Sequence, residues 1–219
     1  MSSSPEKKSK FIAWTESVGE LIILNFWTIL CSIPIFTIGA AFSSMHDVLI
    51  RKCRNEEYSI TGNFFLAFKN NFRHATGTWM IFFGILLFLY WDYELLNQAG
   101  DKIPEFITVV LIVVAVVCFA ALQWAFVLVA RYNIGIGQTI GYAFTRIIAF
   151  PFRTIFMLIV IIVPAYLLIY YPISTPLVLL LGTSLVGRVQ SGIYDGALRV
   201  MEYVEGQQED ANDDSTDAI

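Results

Sequence analysis

The stretch Cys31-Ser32-Ile33-Pro34-Ile35-Phe36-Thr37-Ile38-Gly39 decides how many times this chain crosses a membrane. It sits inside a longer run, Leu21 to His46, that holds no Asp, Glu, Lys or Arg. A helix needs roughly 20 apolar residues to cross about 30 Å of hydrocarbon. The run therefore holds either one helix kinked at Pro34 or two helices joined tightly between Pro34 and Gly39. Proline disfavours helical backbone before it and removes a donor, and glycine permits a sharp turn. Hydropathy alone does not choose between the two.

Further out, the chain repeats the same character. Charge is absent again from Phe106 to Ala130 and from Thr154 to Gly187. Across 219 residues, 57% are hydrophobic and 15% charged, against about 25% charged in an ordinary soluble domain. These are membrane segments, and six can be placed: about Phe11–Ile33, Pro34–Ile50, Thr76–Trp91, Ile107–Ala130, Thr154–Tyr171 and Ile173–Ile193. Trp14, Trp27, Trp79, Tyr90, Trp91, Tyr93, Tyr170 and Tyr171 fall near their ends, at the headgroup level that such rings favour. The Lys7, Lys8, Lys10 cluster is followed by Glu16 and Glu20, and no small-residue cleavage site follows, so the first segment reads as retained.

Positive charge favours the two-helix reading of the opening stretch. Lys and Arg of short loops stay on the cytoplasmic side. With six crossings and a cytoplasmic N-terminus, thirteen of the fourteen basic residues lie inside and only Lys102 outside. With five crossings and the N-terminus outside, the division is ten to four. The expected fold is an all-α transmembrane bundle of about six helices, five being the alternative, with both termini cytoplasmic. Residues 1–204 form one transmembrane domain. From Glu205 onward the chain is acidic and almost without apolar residues, and reads as a disordered cytoplasmic tail over 205–219.

Polar groups in membrane segments are candidate sites, because each is costly there. Glu16, Glu20, His46 and Asp47 fall at similar depth near the inner face, which allows a polar cluster joining the first two helices, with Asn25 and Arg188 as further candidates for that cluster or for helix packing. Arg188 could snorkel to the headgroups or pair with Asp47 or Glu20. Asn25 and Gln123 are expected to hydrogen-bond between helices. On the inner face, Phe65, Phe68, Lys69, Phe72 and Arg73 share an amphipathic stretch that could lie in the interface and form a docking surface. The stretch from Gly141 to Arg153 has similar Ala-Phe and Phe-Arg pairs, which reads as a weak parallel repeat.

Catalytic chemistry is not expected. The chain lacks G-x-x-x-x-G-K-[ST], H-E-x-x-H and G-x-S-x-G. It has two histidines, no C-x-x-C pair among three cysteines and a net charge of −4. No catalytic, cofactor-binding or metal-binding residue is assigned, no cofactor is expected, and nucleic acid is an unsuitable partner.

The residues Leu24-Asn25-Phe26-Trp27, Cys31 through Ala41, Arg54-Asn55-Glu56-Glu57 and Phe65 through Arg73 resemble the YesL-like family of bacterial membrane proteins of unknown function. Phe152-Arg153-Thr154 agrees more weakly, and Ser44-Met45-His46-Asp47 departs from the family pattern. The resemblance implies a bacterial cytoplasmic membrane protein, often encoded beside carbohydrate ABC importers and glycan-degrading enzymes. It supplies no catalytic residue. It implies a role as an accessory or interaction subunit, with importer permease subunits and the lipid bilayer as partners. The alternatives are a stand-alone small transporter or channel, and a membrane sensor or assembly factor.

Overall fold

In a computed structural model, residues 10–56, 59–99, 105–132, 134–171 and 182–216 are described. They form an all-α architecture of seven α-helices and one short 3-10 turn: α1 (Lys10–Ser32), the turn (Ile35–Thr37), α2 (Ile38–Cys53), α3 (Ile60–Ala99), α4 (Glu105–Arg131), α5 (Ile136–Ala149), α6 (Pro151–Tyr170) and α7 (Thr183–Thr216).

The opening stretch is a connection between two helices. Pro34 is extended, with φ −74° and ψ 122°, which ends α1. The Thr37 hydroxyl lies 2.6 Å from the Cys31 carbonyl and 2.7 Å from that of Pro34, so it serves carbonyls that the helix end leaves bare. From α3, Trp79 Nε1 donates to the Ile35 carbonyl at 2.8 Å and pins the turn. The chain then reverses. Lys52, at the end of α2, bonds Ser17 at 3.3 Å and also Glu20, both near the start of α1.

Gly39 does not make that turn. It lies inside α2, whose helix begins at Ile38. A β-carbon on Gly39 would stand 2.5 Å from the Ala75 carbonyl oxygen and 2.5 Å from the Trp79 β-carbon. Its task is close approach to α3. Most of α2 is buried, including Gly39, Ala40, Ala41 and every residue from Ser43 to Ile50. Small residues allow such packing between membrane helices, and α1, α3, α4 and α7 surround α2.

The third segment extends further than its hydropathy indicates. Residues 60–99 are one continuous helix of 40 residues, about 60 Å long at 1.5 Å per residue. The amphipathic stretch from Gly62 to Arg73 is therefore the first turns of α3 and not a separate interfacial helix. No proline breaks the ladder there, and helix propagation needs no new nucleus. At the equivalent point of the expected repeat, Phe150 takes φ −130° and ψ 59° and Pro151 starts a new helix. The two helices meet at 101°. The two stretches thus fold differently, because only one carries a proline, Pro151, just before its closing Phe-Arg pair.

Two helices, Ile60–Gln98 and Phe106–Arg131, are long and apolar enough to cross a membrane, and the bent α5–α6 pair makes up to three. α1 carries Glu16, Glu20 and Asn25, and α2 has 16 residues, about 24 Å of helix. The Tyr171-Pro172 link and the first half of the expected sixth segment fall largely outside the described residues. α7 continues as helix to Thr216, across most of the stretch expected to be a disordered tail; elongation of an existing helix avoids the nucleation cost.

The core lies toward one end of the bundle. Trp124 is fully buried, donates to Thr154 Oγ1 at 3.0 Å, and meets the Tyr194 ring edge-on at 5.1 Å. In α4, Ala120–Leu122 and Trp124–Val129 are buried, whereas Phe106, Val109, Val110 and Val113 are exposed. α3 shows the same division, with Phe64 and Ala75 buried and Phe88, Trp91 and Leu95 exposed.

Gly39→Ala should cost about 1–3 kcal/mol, since overpacking here meets backbone and a β-carbon that cannot swing aside. Gly187→Ala should cost less, because its neighbours at 2.8 Å are the flexible ends of Leu49 and Met45. Thermal melts of the two variants in the same detergent test the ordering; equal losses would contradict it.

Candidate functional site

The C-terminal end of α2 gathers most of the described ion pairs. Asn55 adopts a left-handed backbone, φ 55°. This lets the Glu56 N–H donate to the Arg51 carbonyl at 3.1 Å and the Asn55 N–H to that of Lys52 at 3.4 Å, the paired closure common at helix ends. Asparagine tolerates that conformation better than most residues. The turn places Glu56 back against the helix it has just left. Arg51 then reaches Asp47 at 2.8 Å and Glu56 at 3.4 Å, and Arg131 of α4 reaches Glu56 at 3.3 Å.

On the other side, Arg54 bonds Asp195 of α7 at 2.6 Å, and Arg199 bonds the second oxygen of that carboxylate at 2.8 Å. Burial would raise the Asp195 pKa, but the hydrogen bonds from Arg54 and Arg199 outweigh it and hold the carboxyl below its ordinary value. Four helices are therefore tied together at one end: α1 through Lys52–Glu20, α4 through Glu56, α7 through Asp195, and α2 in the middle.

The expected polar residues are distributed differently from a single cluster. Glu20 bonds Lys52, and Asp47 bonds Arg51. Arg188 pairs with neither acid; its guanidinium donates to the Cys53 sulfur, and Ser191 Oγ lies 3.2 Å from the same sulfur. Both carboxylates are already held by basic residues of α2. Asn25 reaches α7, where Thr183 Oγ1 and the Ser184 N–H at 3.3 Å bond its Oδ1, while Ser184 Oγ donates to the Leu21 carbonyl at 2.8 Å. Pro34 and Gly39 lie at and after the α1–α2 turn.

His46 belongs to a different place. It is 1% exposed, its ring meets Tyr194 edge-on at 5.4 Å, and its Nδ1 has no hydrogen-bond partner. It lines a cavity of about 350 Å³ among α2, α3, α4, α6 and α7, with Gln123, Thr183 and Gln190 among the polar side chains on largely apolar walls. Gln190 donates to the Met157 carbonyl at 3.3 Å. The second histidine, His74, lies with Nδ1 2.9 Å from the Ile134 carbonyl. Among the described residues, no three His, Cys, Asp or Glu side chains gather as metal ligands.

Of the expected docking residues, Phe65, Lys69 and Arg73 are exposed, and Phe65 meets Trp27 at 4.8 Å. Phe68 and Phe72 turn inward, in a ladder of rings with Phe64 at 6.2 Å and 5.5 Å. Spacing of four residues on a helix stacks side chains on one face, and here that face meets the bundle.

Residues 21–93 match the model of a family described as "Protein of unknown function, DUF624". The matched span holds the Pro34 turn, all of α2, the Asn55 closure and most of α3, so what it covers is the hub of the packing. No curated protein and no solved structure matches the chain.

Asp195→Asn should destabilise the protein by about 1–3 kcal/mol at neutral pH, because it removes the charge that bonds both Arg54 and Arg199 in a mostly buried setting. Arg199→Gln, on a side chain 61% exposed, should cost less than about 1 kcal/mol. A carboxyl with a lowered folded pKa stabilises fully above its unfolded value and loses that contribution as pH falls through the folded one. The gap in melting temperature between wild type and Asp195→Asn should therefore be constant from neutrality down to about pH 4 and close below it. A gap that closes between pH 7 and pH 5 would contradict the assignment.

Proposed function

We propose that this chain is a non-enzymatic, multi-pass protein of the bacterial plasma membrane that acts as an interaction subunit of a carbohydrate ABC importer. The observation that carries the interaction role is the division of the bundle. One end is locked by Asp47, Arg51, Arg54, Glu56, Arg131 and Asp195. At the other, the apolar faces of α3 and α4 are exposed, with Phe88, Trp91, Leu95, Phe106 and Val109 uncovered by described residues. Such faces meet lipid or other membrane helices. The importer as partner, and the bacterial setting, rest on the family resemblance read from the sequence.

For topology, the proposal is six crossings with both termini cytoplasmic. Its support is the α1–α2 reversal at Pro34, together with the thirteen-to-one division of basic residues. α2 is short for a crossing but is enclosed by its neighbours, so its length need not match the lipid.

A second reading is favoured by the cavity beside His46. A transporter needs polar groups near the midplane, often beside a broken helix, and Pro164 of α6 lines this cavity. The walls are otherwise apolar, which favours the interaction role.

Purification in mild detergent from cells expressing the importer should recover its permease subunits with this chain, and repeated recovery of the chain alone would refute the partnership. Reporter fusions at either terminus should behave as cytoplasmic, fluorescing as fluorescent-protein fusions and remaining inactive as alkaline phosphatase fusions. An active phosphatase at the N-terminus would return the topology to five crossings. Flux of sugar in liposomes holding only this chain would support transport instead.

A further inference from the structure

Among the described residues, no carboxylate pairs with the two arginines at the elbow between α5 and α6. From Phe106 to Tyr194 the chain has no Asp or Glu. Arg146 and Arg153 lie on either side of the bend at Phe150. The Nε of Arg146 and the Nη1 of Arg153 are buried without a hydrogen-bond partner. The Arg153 guanidinium lies over the Phe150 ring, 5.0 Å from its centroid, and within 4 Å of where a β-carbon on Gly196 would stand. The carboxylate nearest to Gly196 in sequence is Asp195, already engaged by Arg54 and Arg199. Those two atoms are covered by protein, but both side chains are only half-buried, and a guanidinium carries further N–H donors, so the remaining donors are open to an acceptor from outside the chain.

Geometry indicates what that acceptor is. α5 meets α6 at 101°. If α6 crosses the bilayer, α5 runs close to the membrane plane. Thr139 and Ala143 face the bundle, while Tyr142 is 48% exposed and, at the bend, Ile148 and Phe152 are 82% and 86% exposed. An amphipathic helix in this position buries its apolar face at the headgroup boundary. The large apolar residues Ile148 and Phe152 then enter the acyl region, and the arginines sit at the level of the phosphates. Guanidinium groups bind phosphate oxygens through paired, charge-assisted N–H donors.

We propose that Arg146 and Arg153 form a binding site for the phosphate headgroup of an anionic phospholipid at the cytoplasmic surface. This rests on the reading of α6 as a membrane crossing. The topology reporters fail or succeed independently of lipid retention, so the two failures are distinguishable.

The test is native mass spectrometry and thermal melting of the full chain, delipidated in detergent and supplied with phosphatidylglycerol or phosphatidylcholine. Wild type should retain phosphatidylglycerol preferentially and melt at a higher temperature with it. Retention should fall about fivefold for each arginine changed to glutamine. Lys69→Gln with Arg73→Gln removes two exposed charges on α3 and should lower retention less than either single glutamine variant of the elbow. Arg146→Lys with Arg153→Lys keeps charge without the paired geometry and should fall between wild type and the glutamine variants. Should the double glutamine variant not fold, each single variant reads the same effect at its own fivefold. Equal retention of the two lipids by wild type would overturn the proposal. So would equal loss in the α3 control, or the same thermal shift from inorganic phosphate alone, which would make the site one for a free anion.

Discussion

Gly39 lets α2 come against the backbone of α3, and much of the structure depends on that approach. With the Ala75 carbonyl and the Trp79 β-carbon both 2.5 Å from where a side chain would begin, the two helices meet with nothing between them. Ala40, Ala41, Ser43 and Ser44 continue the small face. In a membrane, lipid tails solvate leucine as well as protein does, so helices associate through close packing and polar contacts. A central helix of small residues supplies the first, and it also explains why the bundle closes around α2 and not around the more hydrophobic α4.

Burying α2 places a burden on its end. The helix leaves the core through Asp47, Arg51, Lys52 and Arg54, which cannot all reach water freely. Each is met by an opposite charge, and those charges come from α1, α2 itself, the turn after it and α7. A buried ion pair adds little net stability over an apolar pair of the same shape, yet an unpaired member is expensive. The pairs therefore act chiefly against misregister: if α7 slid by one turn, the bond between Arg54 and Asp195 that ties it to the end of α2 would be lost. Asn55 is the pivot of this arrangement, since its left-handed backbone carries Glu56 back toward Arg51 and Arg131.

Much of the fold was legible because hydropathy reports directly on lipid. The all-α class, the helix break at Pro34 and the long apolar α4 follow from uncharged runs and from proline. What hydropathy does not report is rotation and reach. Gly39 reads equally as a turn residue or a packing residue until the helix on its far side is known. Phe68 and Phe72 carry the same periodicity whether their face meets a partner or α2. Arg188 reads as needing an acid, but Asp47 and Glu20 lie nearer to Arg51 and Lys52, and the partner it finds is Cys53. The continuity of α3 is hidden in the sequence for a related reason: a change from polar to apolar residues marks a change of surroundings, and a helix can pass through such a change unbroken. His46 reads as costly polarity in the sequence, but not as the lining of a cavity, because the other walls come from α3, α4, α6 and α7.

The division of the bundle follows from these constraints and limits what the protein can do. Ion pairs and the Trp124 core hold one end, so relative motion of α1, α2, α4 and α7 there would strand charges. At the other end α3 and α4 are held by few polar contacts, and their exposed faces are built of Val, Ile, Leu and aromatic rings. Association between such faces and another membrane protein would add packing without disturbing any ion pair. The exposed faces of α3 and α4 are thus the part of the bundle that can meet lipid or another membrane helix while every described ion pair stays in place.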